Sequence, residues 1–95
     1  MLTNEQGYVE VAYADNNQEQ WEWDEFHIYY HPEKRRWFYD TQGGCSCDWY
    51  EFFEDGLVEF PISNLFKIIH THVRFPEFQD SVRRDVKKFF KEHKL

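Results

Sequence analysis

The first half of the chain alternates between large apolar and polar residues, which predicts β-strands. Residues 8–13 show this alternation in part and residues 21–30 show it more fully, and residues 36–40 follow a turn-forming segment at residues 32–35. Within residues 21–30, the odd-numbered positions from 23 to 29 share one face and the even-numbered positions from 26 to 30 share the other. Because both of the later segments are aromatic and suit cross-strand pairing, residues 21–40 are expected to form a β-hairpin.

The segment after the hairpin contains short apolar runs. Gly43 and Gly44 are expected to allow a sharp turn, because glycine reaches backbone angles closed to other residues. Residues 49–53 and 57–60 are predicted as two further strands, separated by the turn-forming pair Asp55-Gly56.

After Pro61 the apolar spacing becomes helical. Residues 65, 68, 69 and 73 fall on one helix face, with Ser63 as the predicted N-cap. Pro76 suits the first turn of a second helix, whose apolar stripe extends over residues 78–90. The sequence therefore predicts an α+β fold, with an antiparallel β-meander of three to five strands followed by two C-terminal helices packed on it. Residues 1–95 are expected to form a single domain.

Charge divides this domain into an acidic, β-rich part and a basic, helical part. Residues 1–60 contain fourteen acidic and three basic residues, and residues 61–95 contain four acidic and eight basic ones. The net charges of the two parts are therefore −11 and +4, within a total of −7. Such faces either attract each other within the fold or leave an anionic surface for a basic partner. The acidic part is not expected to bind nucleic acid, because it repels the phosphate backbone.

Aromatic residues are more numerous than a core of this size needs. The chain has four Trp, six Tyr and ten Phe, so some of these rings should be exposed. Exposed rings beside acidic groups are typical of protein interfaces, in which Trp contributes strongly to affinity. A surface of this kind is expected to bind a protein with a basic surface. The candidate partner-binding residues are Trp21, Glu22, Trp23, Asp24, Trp49, Tyr50, Glu51 and Glu54.

The only two cysteines, Cys45 and Cys47, are one residue apart. A disulfide between them would close a very small ring, so reduced, metal-free thiols that shape a turn are expected, and no cofactor is expected. The alternative is a small zinc-binding domain that uses both thiolates. Its further candidate ligands are His70 and His72, although side chains two residues apart diverge around a helix. The set could be completed by His27, His31 or Asp48.

The chain shows no pattern typical of an enzyme. It lacks a phosphate-binding glycine motif, a serine nucleophile elbow and a metalloprotease helix, and its carboxylate run at residues 51–59 is typical of a solvated rim. An enzyme is therefore not expected. A second alternative is a nucleic-acid-binding module that uses the basic residues of the C-terminal helix. These residues are Arg84, Lys87, Lys88 and Lys91.

Compartment and assembly follow from what the sequence lacks. Residues 1–7 do not contain the basic and apolar regions of a signal peptide, and no apolar run approaches the roughly 18 residues of a membrane helix. Two cysteines do not form the disulfide framework of a small secreted protein. A cytoplasmic monomer or homodimer without membrane contact is therefore expected.

Four short motifs connect the chain with a known group of proteins. The motifs are Phe26-His27-Ile28-Tyr29-Tyr30, Arg36-Trp37-Phe38-Tyr39-Asp40, Gly44-Cys45-Ser46-Cys47 and Tyr50-Glu51. Over residues 23–92 the chain resembles a family of small uncharacterised bacteriophage proteins with an aromatic hairpin, a Gly-Cys-Ser-Cys turn and a helical tail. The resemblance implies a domain of unknown function and a location in the host cytoplasm, without a catalytic residue. Together with the acidic, aromatic surface it leads to the hypothesis of a phage accessory protein that binds and modulates a host protein, with DNA mimicry as one form of inhibition.

Overall fold

In the computed structural model, which describes residues 4–17, 21–45 and 47–95, four antiparallel strands form one sheet in chain order. The strands are β1 (Val9–Asp15), β2 (Glu22–His31), β3 (Arg36–Cys45) and β4 (Val58–Phe60). β2 and β3 pair over their full length, from His31 opposite Arg36 to Glu22 opposite Cys45. The predicted hairpin is confirmed, and it forms the centre of the sheet.

Two helices follow the sheet, α1 (Leu65–His72) and α2 (Pro76–His93). Pro76 lies in the first turn of α2 as predicted, where its missing N–H costs no helical hydrogen bond. The predicted cap Ser63 is wrong: Ser63 lies in a short 3-10 turn, Ile62–Asn64, and Asn64 occupies the N-cap position of α1. The α+β class, with two helices after an antiparallel sheet, is confirmed.

One face of the sheet packs on the helices and forms the larger core, which we call the helix-side core. Stacked and edge-on aromatic rings connect the two layers, as where Trp37 lies 5.3 Å from Phe90 and 5.7 Å from Phe89. The buried members of this core are Val9, Ala12, Ala14, Phe26, Ile28, Tyr30, Trp37, Phe60, Ile69, Val73, Val82, Val86 and Phe89.

A β-bulge in β1 explains why the sequence of that strand alternates only in part. The register shifts between Glu10, which lies opposite Tyr29, and Ala12, which lies opposite Ile28. The extra residue keeps both Val9 and Ala12 in the helix-side core, because one inserted residue reverses the alternation that follows.

The opposite face of the sheet is covered by the chain between β3 and β4. Residues 47–57 cross this face, and their side chains join a second cluster, which we call the loop-side cluster. Its buried members are Tyr8, Tyr29 and Phe38, with Tyr50, Phe52 and Leu57 packed against them.

The strand predicted at residues 49–53 is wrong. These residues have no strand structure, because their backbone is held by a side chain rather than by a neighbouring strand. The Gln42 amide accepts a hydrogen bond from the Glu51 N–H at 3.3 Å and donates one to the Glu51 carbonyl. The segment is thereby free to place its aromatic rings on the sheet instead of extending it.

The sharp turn predicted at Gly43 and Gly44 is also wrong, because both glycines lie within β3. Glycine at position 44 is needed for a different reason, the close approach of two side chains. A Cβ atom there would lie 3.1 Å from the side chains of Trp23 and Asp48, so glycine permits both to approach the strand closely. No helix in the described ranges is long and apolar enough to cross a membrane.

Candidate functional site

The start of β2 and the end of β3 meet at one end of the sheet, where three of the four tryptophans gather. We call residues 21–24, 43–45 and 47–49 the tryptophan end. Glu22 lies opposite Cys45, and the indole N–H of Trp23 donates to the Cys45 carbonyl at 3.0 Å. The pairing of β2 with β3 thus brings together two segments that are more than twenty residues apart in the sequence.

Two tryptophans at this end face solvent. Trp21 is 66% exposed and Trp49 is 74% exposed, whereas Trp23 is half-buried against the end of β3. Exposure of a large ring to this degree is uncommon for Trp, which is highly buried on average. These two rings are therefore available to a partner without any rearrangement of the core.

Acidic side chains surround the exposed rings. Glu22, Asp48 and Glu51 are exposed, and Asp24 is half-buried. Among the described residues, no salt bridge joins the acidic part of the chain to the basic helices. The salt bridges without histidine are Arg36 with Glu59, Arg83 with Asp80 and Lys88 with Glu92. The acidic surface at the tryptophan end is therefore not neutralised by α2.

Two of the predicted partner-binding residues do not lie on this surface. Tyr50 is turned into the loop-side cluster, where its hydroxyl donates to Asp40 at 2.9 Å. Glu54 lies in the 3-10 turn Glu54–Gly56 before β4, and its charge acts on Lys34 in the turn between β2 and β3, at the opposite end of the hairpin. The structure thus groups Trp21, Trp23 and Trp49 and separates Glu54 from them.

The thiols expected to be free form a disulfide between Cys45 and Cys47. The chain reverses directly after β3, where the Asp48 N–H donates to the Cys45 carbonyl at 2.9 Å. This reversal places the two Cα atoms 5.4 Å apart, within the span of roughly 4.4–6.8 Å that a disulfide bridges. The expectation of reduced thiols is therefore wrong for this structure; Ser46, the middle of the predicted Gly-Cys-Ser-Cys turn, lies outside the described residues.

The same reversal brings together three donor groups that could hold a metal ion. The sulfurs of Cys45 and Cys47 and a carboxylate oxygen of Asp48 all lie within 4.8 Å of one another. The predicted histidine ligands do not join them. His70 is exposed on α1, and His72 stacks on Phe26 in the helix-side core at 5.9 Å.

A buried polar cluster lies beneath residues 47–57. The sequence alone does not predict it. His27 is 5% exposed and contacts two carboxylates, through Nδ1 with Glu10 and through Nε2 with Glu25 at 2.8 Å. The Tyr50 ring stacks on the imidazole at 3.9 Å. Burial lowers the pKa of His27, but its hydrogen bonds to Glu10 and Glu25 outweigh this effect and raise the pKa overall.

Two tyrosines continue this cluster to a buried carboxylate. Because the Tyr50 hydroxyl donates to Asp40, its oxygen accepts the hydrogen bond from the Tyr29 hydroxyl. Burial raises the pKa of both phenols, and the neighbouring carboxylates raise it further. Both tyrosines therefore stay neutral at physiological pH. The carboxylate of Asp40, which is 3% exposed, accepts a hydrogen bond from the Tyr50 hydroxyl.

The cluster holds charge but offers no free base. Both ring nitrogens of His27 are bound to carboxylates, so the imidazole has no nitrogen left for a substrate in this arrangement.

One sequence signal could have predicted this cluster. Glu25, His27 and Tyr29 alternate along β2 on the face opposite Phe26, so polar residues recur where a second core is needed.

A family model described as "Domain of unknown function (DUF7574)" matches residues 3–92. The chain therefore belongs to this family of domains of unknown function, which confirms that part of the resemblance. No curated protein and no solved structure matches the chain significantly.

Proposed function

We propose that this member of the family is a protein-binding module that uses the tryptophan end to bind a basic surface on a partner protein. The narrower form of the proposal is a bacteriophage accessory protein that binds and modulates a host protein in the host cytoplasm. In this role the domain acts as a monomer or homodimer, and it performs no catalysis and needs no cofactor.

The observation that carries the proposal is the exposure of two tryptophans at one end of the sheet. Trp21 and Trp49 are 66% and 74% exposed. Tryptophan is the residue type most enriched among those that dominate binding energy, because it buries a large area with few rotatable bonds. A soluble fold gains nothing from leaving such rings in water, so a partner that covers them is a physical reason for their position.

The charge around these rings selects the kind of partner. Glu22, Asp48 and Glu51 are exposed beside them, and the described basic residues of α2 form no salt bridge with these groups. An uncompensated acidic surface steers a basic surface toward it and raises the association rate more than the affinity. A DNA-binding protein is one such partner, since carboxylates can take the place of phosphates in its basic groove.

Affinity capture from a bacterial host lysate tests the proposal with two matched variants. The first variant, Trp49→Ala with Glu51→Lys, removes a ring at the tryptophan end and reverses a charge beside it. The control variant, Phe66→Ala with Glu33→Lys, makes the same two changes elsewhere, at a ring that is 63% exposed on α1 and at an exposed acid in the turn between β2 and β3.

We expect at least one protein that the unchanged domain and the control variant retain and that the first variant loses. Elution of this protein by salt would agree with the acidic character of the surface. If every captured protein stayed bound to the Trp49→Ala, Glu51→Lys variant as it does to the control, the tryptophan end would not be the binding surface.

A second candidate function rests on the donor atoms of Cys45, Cys47 and Asp48. The two sulfurs and a carboxylate oxygen lie within 4.8 Å of one another in the disulfide-bonded chain. After reduction of the disulfide by a dithiol, two thiolates and a carboxylate are ligand types that bind zinc in tetrahedral geometry. Equilibrium dialysis followed by elemental analysis tests this candidate. Zinc binding requires one ion per reduced chain, none per oxidised chain, and loss of the ion in Cys47→Ser. A reduced chain that retained no zinc would eliminate it.

A further inference from the structure

The disulfide between Cys45 and Cys47 lies on the surface, where β3 ends. Both cysteines are exposed, and a single residue separates them in the sequence. A small cleft of about 120 Å³ opens beside the disulfide, and its lining residues are Cys47, Asp48, Trp49 and Glu51. A thiolate from another molecule can therefore approach Cys47 through this cleft without any unfolding of the domain.

A structural role explains little of this disulfide. The stabilisation that a disulfide gives grows with the length of the loop that it closes, and this loop contains a single intervening residue. Hydrogen bonds also hold the chain reversal without it. The Cys45 carbonyl accepts from the Asp48 N–H at 2.9 Å and from the Trp23 indole at 3.0 Å. Reduction should therefore leave the fold intact and the two thiols close together.

The Asp48 carboxylate favours the reduced form of Cys45. One of its oxygens lies 3.4 Å from the Cys45 backbone nitrogen and 3.5 Å from the Cys45 sulfur. A thiol at this position can donate a weak hydrogen bond to the carboxylate, whereas a disulfide sulfur has no proton to donate. A contact that only the reduced form can make shifts the equilibrium of the disulfide toward reduction, so the disulfide acts as an oxidant of other thiols.

The charge around the disulfide selects the thiol that reaches it. Glu22, Asp48 and Glu51 are exposed, and Glu22 lies opposite Cys45 in the sheet. These carboxylates attract a thiolate that is flanked by cationic groups and repel one that is flanked by anionic groups. Glutathione, the main small thiol of a reducing cytoplasm, has a net negative charge, so the same carboxylates slow its attack on the disulfide.

We propose that Cys45 and Cys47 form a redox-active disulfide that oxidises a pair of thiols in a basic segment of another protein. This activity goes beyond the binding of a partner, and each chain performs it once, as a stoichiometric exchange.

The exchange takes place in two displacements. A partner thiolate attacks the Cys47 sulfur and forms a bond with it, while the bond between Cys45 and Cys47 breaks. The electron pair of that bond goes to the Cys45 sulfur, which takes a proton from water. The second partner thiolate then attacks the partner sulfur of the mixed disulfide and releases Cys47, which is protonated in the same way. Two electrons pass from the partner dithiol to the two cysteines, and one disulfide is formed for each one that is reduced.

Thiol exchange with two model peptides tests the proposal on the full, oxidised chain. Each peptide contains two cysteines separated by two glycines, flanked by lysines in one peptide and by glutamates in the other. The reaction is performed without oxygen and with a chelator, and acid quenching, alkylation and mass spectrometry then count the thiols. We expect one peptide disulfide per chain, formed at least about tenfold faster per thiolate with the lysine peptide. No exchange by the folded chain, or equal rates with the two peptides, would overturn the proposal.

Two acidic variants test the role of charge. Glu51→Gln removes a charge that lines the cleft, so the preference for the lysine peptide should fall by about twofold or more. The matched control is Glu33→Gln, at an exposed acid in the turn between β2 and β3, and it should leave the preference unchanged. Equal effects of the two variants would contradict recognition by the carboxylates at the cleft.

Two further measurements test the assigned sulfur and the role of the disulfide. The free thiol of Cys45→Ser should form a mixed disulfide with the oxidised lysine peptide at least about threefold faster than that of Cys47→Ser, because Cys47 lines the cleft. The reverse order would contradict the assigned step. Thermal unfolding should give similar midpoints for the oxidised and the reduced chain, and loss of the fold on reduction would show that the disulfide is structural. Because none of these readouts uses a captured partner, their failure would leave the proposed protein-binding function standing.

Discussion

At the scale of single residues, His27 both fills space on the loop side of the sheet and carries a charge there. It is buried between Glu10 and Glu25 and stacks on Tyr50. A buried imidazolium is stable where it is paired with a carboxylate and both of its N–H groups have hydrogen-bond acceptors. Protonation of His27 should therefore stabilise the fold.

The stability of the domain should depend on pH through His27. The pKa of His27 in the folded chain lies above its ordinary value of 6.5, so its contribution is complete below about pH 6.5 and is lost as the pH rises through the folded-state pKa. We expect the difference in free energy of unfolding between the unchanged domain and His27→Gln to shrink from about pH 5.5 to about pH 9 in urea titrations. His70→Gln, at an exposed histidine of α1, should show no such trend. A folded-state pKa at or below 6.5 in an NMR titration would contradict the account.

At the scale of elements, one buried asparagine attaches the sheet to the helices. Asn16 follows β1, donates through Nδ2 to the His72 carbonyl at 2.7 Å, and accepts at Oδ1 from the Arg74 N–H at 2.7 Å. It thereby satisfies both backbone groups where α1 ends and the chain turns toward α2. Asn16 stands in the polar stretch of residues 15–20, and no local sequence pattern signals this role, because its partners lie more than fifty residues away.

Removal of this asparagine should destabilise the fold. Asn16→Ala leaves the part-buried His72 carbonyl and Arg74 N–H without this partner, and we expect the free energy of unfolding to fall by about 1–3 kcal/mol. Asn64→Ala is the matched control, since the Asn64 side chain makes no capping hydrogen bond in α1, and its effect should stay within about 0.5 kcal/mol. Urea unfolding of both variants measures the difference; equal effects would show that Asn16 does not join the layers.

The elements that could be predicted from the sequence are those with local signals. Alternation predicts the β2–β3 hairpin, and the apolar stripe with Pro76 predicts α2, because each pattern arises within one element. A short apolar run before the Asp55-Gly56 turn predicts a strand at residues 49–53, yet these residues cross the sheet face because Gln42 binds their backbone. The cluster around His27 depends on the register between three strands, and no local pattern contains that register.

At the scale of the whole molecule, the acids of the tryptophan end and the basic residues of α2 stay apart after folding. The exposed basic residues of α2 and the exposed acids of the tryptophan end form no salt bridges with one another in the part of the chain described. The net charge of −7 nevertheless gives the domain an overall repulsion toward nucleic acid. The basic face of α2 therefore does not by itself favour a nucleic-acid-binding function.

We expect no binding of duplex or single-stranded DNA at about 0.15 M salt. Fluorescence anisotropy with labelled oligonucleotides measures this directly. Tight binding that weakens steeply with salt and is lost in Lys87→Glu with Lys91→Glu would show instead that α2 is a nucleic-acid interface. The same charge changes should leave binding of the protein partner at the tryptophan end intact.

The central claim is that the tryptophan end binds a partner, and the affinity of the captured partner for two single variants tests it most directly. Trp49→Ala and Phe66→Ala each remove one ring of similar exposure, at 74% and 63%, the first from the tryptophan end and the second from α1. In titration calorimetry we expect Trp49→Ala to weaken binding by about thirtyfold or more, as for a dominant interface residue, and Phe66→Ala by less than about threefold. Equal affinities of the two variants for the partner would contradict the claim.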